Sequence, residues 1–241
     1  MSTEMLVARL RRHSELSDGD VDALISLNGR TKSYSSGSIT SRDGGAKTDC
    51  SLLHSGVAVG HKIVGDGGRQ IISMYLPGEL LDFDGMFLQS LDYNIQAISD
   101  CEISLFPRDG LIAMMFERPS IGRALFRDTM IRAAISREWM TNLGRRDSRT
   151  KVAHLLCELT LRLKVIGGYD NHGFELPITQ EQISDIIGVT PMHVGRVLKE
   201  LSREGLIDRA NRHIKVVDEE KLKLTGDFKP TYLESAALDR R

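Results

Sequence analysis

Cysteine is scarce in this chain. Three residues, Cys50, Cys101 and Cys157, stand far apart among 241. An odd, scattered set supports neither a disulfide framework nor a thiolate metal cage, and it fits a reducing cytosol. Long apolar runs are missing too. None approaches the roughly 18 residues that a membrane span needs, and the N-terminus carries no apolar signal core. Both absences lead us to expect a cytoplasmic chain. An excess of charge of one sign is also absent: 32 Lys and Arg against 33 Asp and Glu leave a net charge of −1. A nucleic-acid footprint, if present, must therefore be local. Catalytic signatures are lacking as well, with no nucleophile–base pairing, no metal-ligand spacing and no phosphate-cradling glycine loop. The glycine-rich stretch Gly65-Asp66-Gly67-Gly68 joins two strand-like segments, not a strand to a helix, and reads as a hairpin turn. We expect no enzyme.

What is present is decisive in one place. The chain is long enough for two modest domains, and 41% hydrophobic residues with 27% charged suffice for real cores. Between Thr179 and Gly205 the pattern spells helix, tight turn, helix, stop. Thr179 is a good N-cap, and Gln182 completes a capping box. Ile183, Ile186 and Ile187 recur at helical spacing. Gly188 ends the helix by reaching the left-handed conformation cheaply. Thr190 caps a second helix, with Pro191 at its first position. Val194, Val197, Leu198 and Leu201 line its inner face, while Met192, Arg196, Lys199 and Arg203 fall on the other. This is a helix-turn-helix, whose second helix enters a DNA major groove. Leu206-Ile207 and Ile214 to Val217 flank a polar turn as a hairpin wing, from which Arg209, Arg212 and Lys215 can reach phosphate. An αα-hairpin with a solvated basic face is the alternative.

The remaining organisation predicts an α+β chain. Residues 4–28 form one or two short helices, with Ser17 or Asp18 as an internal cap. Residues 31–106 are short strands between glycine turns, which argues a barrel-like or jelly-roll domain; Ser55 to Val59 and Gln70 to Leu76 flank the Gly65 turn. Residues 111–143 form a long helix. Its apolar stripe Ile121, Leu125, Ile131, Ile135, Trp139 and Leu143, interrupted by Asp128 and Arg132, predicts two-fold self-association; a core helix of one subunit is the alternative. We therefore divide the chain into 1–110, 111–143, a winged domain at 144–224 and a loose polar tail at 225–241. Arg145, Arg146, Arg149 and Lys151 form a basic patch at the start of the winged domain, as a phosphate contact, a hinge grip or a solvated face.

The motifs Leu143 to Leu156, Ile178 to Gly188 and Val194 to Leu201, with the order β-roll, long helix, winged helix-turn-helix, resemble the Crp–Fnr family of bacterial transcription regulators. The resemblance runs from about residue 20 to 220. It implies a cyclic-nucleotide-binding-like jelly roll, a dimerisation helix and a homodimer on a palindromic DNA site, with RNA polymerase as the partner that activation would require. Arg196 matches the position that reads a guanine, and its two N–H groups suit O6 and N7. Thr179 and Thr190 match phosphate-holding positions. Gln180, Met192, His193, Lys199, Arg203 and Arg212 complete the expected DNA set. Pro191 and Met192 stand where well-known members carry Arg and Glu, so the half-site should differ.

The family's effectors fit this sequence poorly. Cyclic-nucleotide-binding members use a Gly-Glu pair and an Arg, but no Lys or Arg occurs between Arg69 and Arg108, and Asp82, Asp84 and Asp92 make the corresponding loop acidic. A buried phosphate there would lack a cation. Gly78-Glu79 mimics the ribose pair but comes a few residues early. Iron–sulfur members need a cysteine cluster near the N-terminus, and none precedes Cys50. His54 and His61 read as ordinary strand residues, not haem ligands, and Cys157 as a core residue. The expectation is a regulator with no identified cofactor. The alternative is a β-roll sensor of a small molecule or protein whose DNA binding is secondary.

Overall fold

The computed structural model describes residues 3–46, 48–170, 173–175, 178–210 and 213–234. Two units emerge, one built on the chain up to Ala134 and the other on Ile135–Leu233. Among the described residues no helix is long and apolar enough to cross a membrane.

The first unit opens with α1 (Glu4–Arg11) and α2 (Asp18–Ile25). Ser17 caps α2 in a capping box with Asp20, so the internal cap expected from the sequence is real. Seven strands follow: β1 (Arg30–Tyr34), β2 (Ile39–Ser41), β3 (Asp49–Ser55), β4 (Ala58–Ile63), β5 (Arg69–Tyr75), β6 (Asn94–Ala97) and β7 (Cys101–Pro107). They make two antiparallel sheets, ordered β1-β7-β3 and β2-β6-β4-β5. Leu53, Ile103, Ala58, Tyr75, Leu81 and Ile95 fill the space between them. The far side of β3 and β7 carries Cys50, Leu52 and Phe106, which bury Leu6 and Leu10 of α1 and Leu24 of α2. Strands with inward apolar residues on both sheets explain why this stretch is a β-roll.

The long helix departs from expectation. Residues 108–145 form two helices, α3 (Arg108–Glu117) and α4 (Pro119–Arg145). Pro119 is responsible: the residue before a proline avoids the helical region, and Arg118 sits at φ −126°, ψ 87°. The self-association stripe also needs correction. Ile121, Leu125, Ile131 and Trp139 are buried within the chain itself, and Ile135 is half-buried. Ile121 and Leu125 belong to the β-roll core with Leu6 and Phe106, while Trp139 donates to the buried Glu158 at 3.1 Å. The exposed apolar residues of α4 are Leu143 of that stripe, at 39%, and, one stripe over, Phe126 at 62%, Met130 at 44% and Met140 at 70%. Phe126, Met130, Ala133, Arg137 and Met140 repeat at alternating steps of four and three, the spacing of a two-helix seam, with the charged Arg137 interrupting it.

The second unit contains α5 (Ser148–Val165), β8 (Phe174–Glu175), α6 (Gln180–Ile187), α7 (Pro191–Arg203), β9 (Ile207–Ala210), β10 (His213–Val216) and α8 (Glu219–Thr225). The wing hairpin β9–β10 is joined on its other edge by β8, giving the order β8-β10-β9. The predicted loose tail is packed as far as it is described. Phe228 is buried, Tyr232 donates to Glu158 at 2.9 Å, and the buried His154 donates from Nδ1 to the Gly226 carbonyl at 3.0 Å. Two aromatic rings around one imidazole anchor this segment, a signal that polar composition masks.

Candidate nucleic-acid interface

Local rules build the helix-turn-helix. The Thr179 hydroxyl accepts the Gln182 N–H at 3.1 Å while the Gln182 side chain accepts the Thr179 N–H at 2.8 Å. These bonds satisfy two of the donors that a helix start leaves orphaned. Helix α6 then buries Ile183, Ile186 and Ile187. Gly188 sits at φ +66°, a conformation in which any Cβ is strained. Thr190 caps α7, accepting from the His193 N–H at 3.3 Å. Val194, Val197, Leu198 and Leu201 are buried, each contributing about 1.5–3 kcal/mol through its apolar surface. A Cβ at Gly195 would stand 2.7 Å from the Gln180 amide oxygen, the movable end of that side chain.

That packing leaves one face of α7 in solvent. Met192, His193, Arg196, Lys199 and Arg203 are all exposed along it, and Thr179 and Thr190 are exposed at the two helix starts. Gln180 is half-buried against Gly195. Arg196 has its Nε 4.0 Å from Glu200, one turn along the same helix, a loose contact that leaves the guanidinium available. Lys215 is exposed on the wing and Arg209 is half-buried. Arg212 lies outside the described residues.

The second basic patch dissolves into internal contacts. Lys151 is buried and donates to the Ile187 carbonyl at 3.1 Å, closing the C-terminal end of α6. Arg149 forms a two-pronged pair with Glu204 at 2.7 and 2.6 Å. Arg146 is held by Asn142, Glu138 and Asp227; burial opposes its charge, but these carboxylates keep its pKa above the ordinary value. Only Arg145 of the four is exposed. Clustered cations in sequence therefore do not make a cationic surface here, because acidic partners 55 and 81 positions away claim two of them.

The β-roll interior is a second candidate site. Asp82 is fully buried and accepts from the Ser51 N–H at 2.7 Å and its hydroxyl at 2.8 Å. Asp84 accepts from the Tyr93 hydroxyl at 3.0 Å, and Tyr93 is 3.1 Å from the Tyr75 hydroxyl. Asp92 is on the surface with Lys62. Glu79 is bound by Arg9 at 2.8 Å, so it is not held open for a sugar. A second cation enters, also from outside the acidic loop. Arg132 of α4 donates to the Leu80 carbonyl and lies over the Tyr75 ring, 5.4 Å from its centroid. Desolvation works against its charge, yet Tyr75, Asp128 and Glu79 raise its pKa. Inspection of the loop alone misses this residue, which is remote in sequence. Asp128, one turn away, is ionised well below the usual carboxylate range: burial resists, but Arg9 at 2.7 Å and His13 prevail. The three cysteines are all buried. Burial pushes the Cys157 thiol up to about 12, so it is protonated near neutrality. Cys50 and Cys101 belong to one unit and Cys157 to the other, a donor set that does not fit a four-thiolate cluster.

Residues 31–118 match the cyclic nucleotide-binding domain, and residues 150–225 match the Crp-like helix-turn-helix domain. The transcriptional activator protein FnrL of Cereibacter sphaeroides is 30% identical over 191 residues, covering 78% of this chain and 76% of its own length. The chain belongs to the Crp–Fnr family of transcription regulators. It is accordingly a DNA-binding regulator and not an enzyme. A probable transcriptional activator of Rhizobium leguminosarum bv. viciae is 33% identical over 163 residues, which is 67% of this chain and 66% of that protein. The solved structure of FixK2 from Bradyrhizobium japonicum shares the fold, with a TM-score of 0.76 at 24% identity over 83% of this chain and 98% of the other. The fold class is that expected from the sequence: β-roll, long helix and winged helix-turn-helix.

Proposed function

We propose that the protein acts as a homodimer on a roughly palindromic DNA site, as an activator, and without cyclic nucleotide or iron–sulfur cluster. The observation that carries the DNA reading is the solvent face of α7, where Arg196, Lys199 and Arg203 stand beside Met192 and His193 with their apolar side packed away. A two-fold dimer would present two such helices to half-sites one helical turn apart. The exposed 126–140 stripe of α4 supports pairing with a second copy. Names of relatives as transcriptional activators support activation, which requires contact with RNA polymerase, and a cytoplasmic location follows from that role. Effector independence is supported by the engagement of Glu79 with Arg9 and of Arg132 with Leu80 and Tyr75. A cyclic phosphate would have to displace these contacts beside Asp84.

The test is selection of bound duplexes from a random pool, followed by footprinting at several salt concentrations and calorimetric titration with cyclic AMP. A symmetric motif bound equally well with and without the nucleotide supports the reading. Failure to enrich any motif at low salt, or micromolar affinity for cyclic AMP, overturns the corresponding part.

A further inference from the structure

The first turn of α7 offers a narrow set of chemical groups to a base edge. It opens with Pro191, Met192 and His193, and contains no acidic residue. Met192 is 84% exposed, one turn before Arg196 on the same face. His193 is held in place: the Thr190 oxygen, already accepting the His193 backbone N–H, lies 3.0 Å from the ring Nδ1. In the tautomer where the Thr190 hydroxyl donates to Nδ1, the ring's Nε2 carries the N–H. The turn thus offers an apolar, polarisable thioether and a ring donor, but no carboxylate acceptor.

Each base edge in the major groove can be compared with that offer. Cytosine presents an amino donor, for which no acidic acceptor stands ready. Guanine presents two acceptors and no apolar group. Adenine presents an acceptor and a donor. Thymine alone combines a C5 methyl with an adjacent O4 acceptor. We propose that Met192 is a specificity-determining residue that packs on a thymine methyl, with His193 Nε2–H directed at the neighbouring acceptor. Helix residues four apart lie about 5–6 Å from one another, and base pairs rise 3.4 Å. The thymine therefore lies within about two base pairs of the guanine assigned to Arg196. This inference rests on the DNA reading above and deepens it.

The experiment replaces each thymine of the selected half-site by deoxyuridine, which removes only the methyl. Affinity is measured by fluorescence anisotropy for the wild type, Met192→Ala and Met192→Glu. One position should weaken about fourfold per half-site, corresponding to about 0.8 kcal/mol for one buried methyl-sized group, and about fifteenfold when both half-sites are altered. Met192→Ala should lose that sensitivity. Met192→Glu should shift the preferred base there towards cytosine, whose amino group a carboxylate accepts. Because Met192 is exposed, the alanine variant should melt as the wild type does. Selective binding with no deoxyuridine position that matters in the wild type, or sensitivity undiminished in Met192→Ala, overturns the proposal while leaving the DNA reading intact. No selective binding at all would sink that reading itself.

Discussion

Replacing Arg196 by alanine separates base reading from phosphate binding. The side chain is 62% exposed, and its nearest carboxylate, Glu200, is at 4.0 Å on the same helix. An exposed pair of this kind contributes about 0.3–0.5 kcal/mol, and alanine is the better helix former. The fold should therefore lose less than about 0.5 kcal/mol. A two-pronged contact to guanine O6 and N7 contributes about 1–3 kcal/mol of discrimination. For a dimer bound at two half-sites the sum is about 2–6 kcal/mol, or about 30-fold to about 20,000-fold in affinity. The assay is anisotropy titration on the selected duplex and on a variant with the guanine pair exchanged, over a range of salt. Arg196→Ala should bind the two duplexes almost equally. Arg196→Lys keeps the charge but lacks the planar fork, and should lose most of the discrimination as well. If Arg196 touched only phosphate, neutralising it would weaken both duplexes alike and lower the salt exponent by about 0.9 per half-site. That pattern, with base preference intact, would refute the assignment.

Two further outcomes follow from the packing. The double variant Phe126→Glu, Met130→Glu should sediment as a monomer at concentrations where the wild type is a dimer, with little change in melting. Ile121→Ala should instead cost about 2–5 kcal/mol of stability through a core cavity and leave association unchanged. A dimeric double variant would refute the exposed seam. The third outcome concerns pH. Burial lowers the His154 pKa despite the Gly226 carbonyl, so the unfolded chain binds more protons than the folded one between that lowered value and the ordinary 6.5. Stability from this group is complete above about 6.5 and falls as pH drops through the window. Denaturant unfolding at stepped pH should show this slope, and His154→Asn should flatten it. An unchanged slope would assign the dependence elsewhere.

The recognition unit was legible because its information is local. Caps three residues from their partners, a glycine that must turn left-handed, and apolar spacing of three and four all act within one helix, so Thr179, Gly188, Thr190 and Val194 to Leu201 could be placed without knowing what they pack against. The alternation of short strands and glycine turns likewise determined a β-roll, and Ser17 a cap. Tertiary structure alone decided which neighbours compete for each side. An apolar stripe states that a face of α4 is buried but not by what, and the β-roll core took Ile121 and Leu125, leaving Phe126, Met130 and Met140 exposed. Charge carries even less address than hydrophobicity. Arg149 meets Glu204 and Arg146 meets Asp227 only after folding, Lys151 sinks to cap α6, and Arg132 reaches into the β-roll past a loop that contains no cation. Contacts between residues distant along the chain depend on where every intervening element goes, and no spacing rule encodes that.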